Sequence, residues 1–123
     1  MNKNKIVVGG QLKKDEIQSL VLKLIPDSTV DIMSDLDAAL AMQDEEYDLY
    51  LGSCDTGGGG ALAMAISFLG IDKAKTVATQ SSKKSYEEIA QMVEDGVVAF
   101  GFVESEVEYA VENIIKAWIK HNE

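Results

Sequence analysis

The chain has 123 residues, 46% hydrophobic and 26% charged, which is material for one globular domain with a single core. Its 21 acidic residues outnumber 11 basic ones, and the net charge of −10 argues against nucleic acid, whose binding draws on clustered lysine and arginine. No apolar run approaches the roughly 20 residues that span a bilayer, so no membrane insertion is expected.

Residues 1–5 are followed by only three apolar residues before Gly9 and Gly10, too few for a signal peptide. One cysteine, Cys54, cannot form an internal disulfide, and a reducing cytoplasm fits that usage. Ile6, Val7 and Val8 form a first strand, stopped by the glycine pair. Ile17, Leu20, Val21, Leu24 and Ile25 recur at helical spacing, and Pro26 ends that helix. Residues 29–33 alternate around Val30 and Ile32 as a second strand. Ser34 and Asp37 resemble a capping box and open a helix through Leu36, Ala39 and Leu40.

Residues 47–51 read as the third strand. It runs into Gly52, Ser53, Cys54, Asp55, Thr56 and four consecutive glycines, Gly57, Gly58, Gly59 and Gly60, before an apolar helix to Phe68. Thr76, Val77 and Ala78 form a short fourth strand. Ser85 and Glu88 make a second capping box, and Gly96 is placed to close its helix. Residues 97–102 form the fifth strand. Ser105 and Glu108 are expected to cap the last helix, with Val107, Ala110, Val111, Ile114, Ile115, Trp118 and Ile119 along one stripe.

Strands separated by helices imply a parallel sheet with helices on both faces. The expected fold is a single three-layer α/β domain over 1–123. Its five-stranded parallel sheet is flavodoxin-like or Rossmann-like, in the order 2-1-3-4-5. Ligands in such sheets bind beyond the carboxyl ends of the strands, where the strand order reverses. The loops meeting there carry Gly9, Gly10 and Gln11 after the first strand and residues 54–60 after the third. The loop 79–84 is the next neighbour.

A glycine-rich loop opening a helix aims several backbone N–H groups at one point, and the helix dipole favours an anion there. Four glycines in a row are costly to order, and close approach of a ligand to the backbone would account for them. The expected ligand is a small anionic metabolite, such as a sugar phosphate. Its binding residues are Gly9, Gly10, Gln11, Thr56, Gly57, Gly58, Gly59 and Gly60. Cys54, at a helix N-terminus that favours the thiolate, is the candidate catalytic residue, with Asp55 as a further candidate base. Free cysteines also serve as small core hydrophobes, and Asp55 and Thr56 suit turns and caps, so a structural role stays open for all three.

His121 lies near the chain end and reads as frayed and solvated. It is the only histidine, so neither a histidine triad nor a histidine-rich metal site can be assembled. No metal ligands and no cofactor are assigned. Trp118 reads as a core or interface anchor, and association into a homo-oligomer stays open. The run Gln43, Asp44, Glu45, Glu46 reads as a solvated helix end.

Over nearly its full length the chain resembles the YhfU-like proteins, a bacterial family of small cytoplasmic proteins. The likeness rests on Val8-Gly9-Gly10-Gln11-Leu12-Lys13-Lys14, on the run from Tyr50 to Ala63, and on Val97-Val98-Ala99-Phe100-Gly101-Phe102. It transfers no catalytic residue. Locally, Cys54, Thr56, Gly57, Gly59 and Ala63 are similar to the glycine loop of B-type ribose-phosphate and galactose-phosphate isomerases. That likeness implies a cysteine base and amides that stabilise an enediolate. The isomerases carry an Asp-His pair after strand one, where this chain has Gly10 and Gln11. Cys54, Gly57 and Gly59 are also similar to the phosphocysteine loop in the B subunits of sugar phosphotransferase systems, although theirs follows strand one. Three functions follow: an isomerase-like enzyme, a binding or phosphotransfer component of sugar uptake, and a non-catalytic assembly subunit.

Overall fold

The computed structural model describes residues 4–56 and 59–123. Five strands alternate with five helices in chain order: β1 (Lys5–Gly10), α1 (Lys14–Leu24), β2 (Thr29–Ile32), α2 (Asp35–Gln43), β3 (Leu49–Cys54), α3 (Gly59–Leu69), β4 (Ala74–Ala78), α4 (Tyr86–Glu94), β5 (Ala99–Val103) and α5 (Val107–His121). The strands form one parallel sheet between two helical layers, as the alternation requires.

The sheet runs β2-β1-β3-β5-β4, so the last two strands exchange places relative to the expected 2-1-3-4-5. The physical reason lies in their side chains. β5 (Ala-Phe-Gly-Phe-Val) is buried throughout and suits an interior position. β4 (Ala-Lys-Thr-Val-Ala) keeps Lys75 and Thr76 half-buried and suits an edge.

Right-handed crossovers then fix the layers. The steps β2→β3 and β3→β4 run the same way and each passes over one strand, so α2 and α3 share a face. The steps β1→β2 and β4→β5 run the other way and put α1 and α4 on the opposite face, where α5 packs between them. The larger core lies under α1, α4 and α5, with Ile6, Val8, Leu51, Phe100 and Phe102 beneath Ile17, Val21, Ile89 and Ile114. Trp118, 5% exposed, belongs to it. The smaller core joins Val7, Tyr50 and Ala99 to Ala38, Met42, Leu62 and Ala65.

Three glycines, Gly9, Gly52 and Gly101, stand side by side across β1, β3 and β5 on the α3 face. They let that helix settle close to the sheet. A Cβ at Gly101 would lie 2.6 Å from Leu62 Cγ, and one at Gly52 would lie 3.1 Å from the carbonyl oxygen of Ala61.

Ser34 accepts the Asp37 N–H at the start of α2, and Ser85 with Glu88 forms the full reciprocal box on α4. Gly96 closes α4 at φ +96°. Several boundaries differ from expectation: β1 runs through Gly9 and Gly10 instead of stopping at them, β4 begins at Ala74, and β5 spans Ala99–Val103 instead of 97–102. β3 runs through Gly52, Ser53 and Cys54, because the sheet pairs them with Gly9, Gly10 and residues 101–103. Ser105 does not cap α5. A 3-10 turn, Glu104–Glu106, carries the chain off β5, and α5 begins at the buried Val107 with no side-chain cap. His121 stays in the last turn of α5 rather than fraying, with Nδ1 3.7 Å from Glu94 Oε2. Residues 43–46, the last residue of α2 and the three after it, are exposed. No helix among the described residues is long and apolar enough to cross a membrane.

Candidate functional site

The loop after β3 leaves the sheet toward the α2/α3 layer. The loops after its neighbours β1 and β5 both leave toward the other layer. The connection after β3 therefore diverges from both of its neighbours, where the order 2-1-3-4-5 would have made it diverge from one.

Cys54 is the last residue of β3, paired with Val103 of β5 and 3% exposed. Its Sγ lies 3.7 Å from Thr56 Oγ1. Asp55 and Thr56 are exposed. Gly57 and Gly58 lie outside the described residues. Gly59 and Gly60 are the first two residues of α3. A Cβ at Gly60 would sit 3.2 Å from Gln11 Nε2, so the two loops are in contact there.

The turn after β1 is held from below. Gly10 has φ +71°, and a Cβ there would lie 2.7 Å from the Ser53 nitrogen, so glycine is required. Its N–H donates to the Tyr50 hydroxyl, 3.1 Å away. The N–H groups of Gln11 and Leu12 both donate to the Ser53 carbonyl, at 2.9 and 3.2 Å. The Ser53 hydroxyl in turn donates to the Leu12 carbonyl. Gly9 makes room for the Tyr50 ring, whose Cε2 would lie 2.5 Å from a Cβ at that position. Of Gly9, Gly10 and Gln11, the residue that turns a polar side chain to loop 54–60 is Gln11. Its Nε2 lies 3.5 Å from the Gly60 carbonyl oxygen, the long limit of a hydrogen bond.

From the other side, Gln80 Nε2 donates to the Asp55 carbonyl at 3.1 Å. The loop after β4 is rigidified by Thr79, whose N–H donates to the Ser82 carbonyl at 2.7 Å and whose hydroxyl accepts the Ser82 N–H. Gln11 and Gln80 thus touch the two ends of loop 54–60. Around the end of β5, Lys13 pairs with Glu104 at 3.7 Å and Lys83 with Glu106 at 3.5 Å. All four side chains are a third or more exposed, and pairs of this kind contribute little to stability.

Tyr50 was not singled out by the sequence reading, although a tyrosine inside a buried strand needs partners for its hydroxyl. It is fully buried, accepts from Gly10 N–H and donates to the Ala61 carbonyl at 2.9 Å. Burial pushes its phenol up to about 12, against a smaller lowering effect of the Gly10 N–H. His121 belongs to the far end of α5, at the opposite edge of the sheet. Among the described residues no group of three His, Cys, Asp or Glu side chains is placed to hold a metal ion.

The family described as "Protein of unknown function DUF2620" matches residues 4–118. The proteins named "Uncharacterized protein YhfU" of Escherichia coli strain K12, Escherichia coli O6:H1 and Shigella flexneri are each 37% identical over 112 residues. That alignment covers 90% of this chain and 95% of each relative. No solved structure matches the chain. The chain belongs to the DUF2620 family and is a YhfU-like protein.

Proposed function

We propose that this DUF2620 family member binds a small anionic metabolite, of the sugar-phosphate class, at loop 54–60. One observation carries the reading: Gln11 and Gln80, from two separate loops, reach the two ends of that loop, at Gly60 and Asp55. Three loops at one edge of the sheet thereby gather around a glycine-rich helix start. The first-turn amides of a helix have no intrahelical acceptor and sit at the positive end of its dipole. With a net charge of −10 the chain's overall field repels anions, so affinity has to come from local donors.

Thermal melts test this directly. Inorganic phosphate and ribose 5-phosphate, each at millimolar concentration, should raise the melting temperature, since a ligand that binds only the folded state stabilises it. Gly59→Val should remove the rise by blocking backbone approach. No rise in the parent protein, or a full rise in the variant, refutes the reading.

A reaction at this loop would run through Cys54, and its 3.7 Å separation from the Thr56 hydroxyl is the observation that favours one. An isomerase-like role has Cys54 moving a proton between adjacent carbons while oriented donors stabilise the enediolate. It predicts deuterium wash-in from solvent to a bound aldose phosphate, lost in Cys54→Ala while the phosphate-induced rise persists. A phosphotransfer role predicts instead a cysteinyl phosphate on incubation with a phosphorylated donor. A binding module or assembly subunit shows neither.

A further inference from the structure

We infer that the Tyr50 hydroxyl is the positioning group of the candidate site, fixing both walls of loop 54–60 through a single buried oxygen. The ring extends from near the start of β3 over the surface of the sheet, in space kept open by glycines. A Cβ at Gly9 would meet its Cε2 at 2.5 Å, and a Cβ at Gly52 its Cε1 at 3.1 Å. The hydroxyl emerges at the carboxyl edge between two elements. On one side it accepts the N–H of Gly10, the left-handed residue that turns the chain out of β1. On the other it donates to the carbonyl of Ala61, in the first turn of α3.

These two contacts define where the flanking segments stand. Gly10 leads into Gln11, which reaches across to Gly60, the residue before Ala61. The three atoms Gly10 N, Tyr50 Oη and Ala61 O therefore span the gap that Gln11 closes from above. A phenylalanine would fill the same volume and bury the same ring, so packing alone does not call for the hydroxyl. Burial keeps the group protonated to about pH 12, so the bond to Ala61 persists across the physiological range. The same oxygen gives the enclosed Gly10 N–H an acceptor, and a buried donor is costly to leave unpaired. The Ala61 carbonyl, inside α3, takes the hydroxyl proton at a position where the helix already supplies one donor.

The functional part of this inference rests on the proposed anion binding, whereas the positioning itself is measured without ligand. Tyr50→Phe is compared with the parent protein by hydrogen exchange. Amides at Gly10 and at residues 61–65 should exchange at least tenfold faster in the variant, with Phe100, Phe102 and the α5 amides changed much less. An equal acceleration everywhere, or none, overturns the inference. In the parent protein, NMR should show a slowly exchanging Tyr50 hydroxyl proton close to the Gly10 amide proton, and its absence would also overturn it. Phosphate affinity should fall about tenfold in Tyr50→Phe; unchanged affinity overturns the positioning role in binding. A parent protein that binds no phosphate refutes the binding proposal alone, and the exchange pattern still decides the inference.

Discussion

Gly101→Ala isolates the close approach of α3 to the sheet. The added methyl would lie 2.6 Å from Leu62 Cγ and 2.9 Å from Cδ1. Carbon contacts relax near 3.5–4.0 Å, so Leu62 has to withdraw by about 1 Å. It has little room to do so. Its helix is already seated with the Ala61 carbonyl 3.1 Å above the Cβ position of Gly52, and Leu62 itself is 1% exposed. Overpacking of this kind costs about 1–3 kcal/mol. Replacing glycine in extended backbone returns roughly 0.4–1 kcal/mol by restricting the unfolded chain. The net expectation is a loss of about 1–2 kcal/mol, a fall in melting temperature of roughly 5 °C for a chain of this size. Urea unfolding of four proteins completes the measurement: parent, Gly101→Ala, Leu62→Ala and the double variant. Leu62→Ala alone should cost about 2–5 kcal/mol. In its background the new methyl occupies vacated space, so the two changes should couple by at least about 1 kcal/mol. Strict additivity, or a Gly101→Ala protein as stable as the parent, would refute the close-approach argument.

Two further outcomes follow from the hydrogen bonds. The Tyr47 hydroxyl donates to the Asp31 carboxylate, chiefly through which its phenol is pushed up to about 12, as burial does for Tyr50. Both contributions are complete below the unfolded tyrosine value of about 10 and are lost as pH rises from there toward 12. Tyr47→Phe should therefore flatten the alkaline fall in stability, measured as melting temperature between pH 8 and 11. Ser85→Ala removes the α4 cap and should cost about 1 kcal/mol in urea unfolding. The Ser85 N–H holds the Glu88 carboxyl below its usual range, so this contribution is present above the unfolded carboxylate value and lost as pH falls through and below it. Glu88→Gln should separate from the parent at neutral pH and converge with it in acid.

Local signals in the chain were read correctly where they act locally. Ser85 with Glu88, and Gly96 after them, specify their helix ends by hydrogen bonding and backbone freedom within a few residues, and both appear as expected. Gly52, Ser53 and Cys54 were harder. Glycine and serine have weak strand preference, and what holds them extended is pairing with β1 and β5, which is long-range. The place of β5 inside the sheet was written in its five apolar residues, against Lys75 and Thr76 in β4, but that contrast matters only once strands are compared across the chain. At the candidate site, the glycine run located the loop. It could not reveal that the Gln11 and Leu12 amides are engaged by Ser53, or that a tyrosine hydroxyl lies underneath.

The exchange of the last two strands also has a consequence for the order of events during synthesis. β4 pairs with β5 alone, so when β4 leaves the ribosome it has no strand to join. β3 at that moment is paired on one side only, and Leu62 has no Gly101 beneath it. The half-sheet β2-β1-β3 can assemble early, leaving an open edge that invites wrong pairing until residues 99–103 arrive. Insertion of β5 then covers the open side of β3 and gives β4 its partner in one step, and seats α3. The nascent chain should therefore gain protease resistance late and abruptly, after β5 has cleared the exit tunnel.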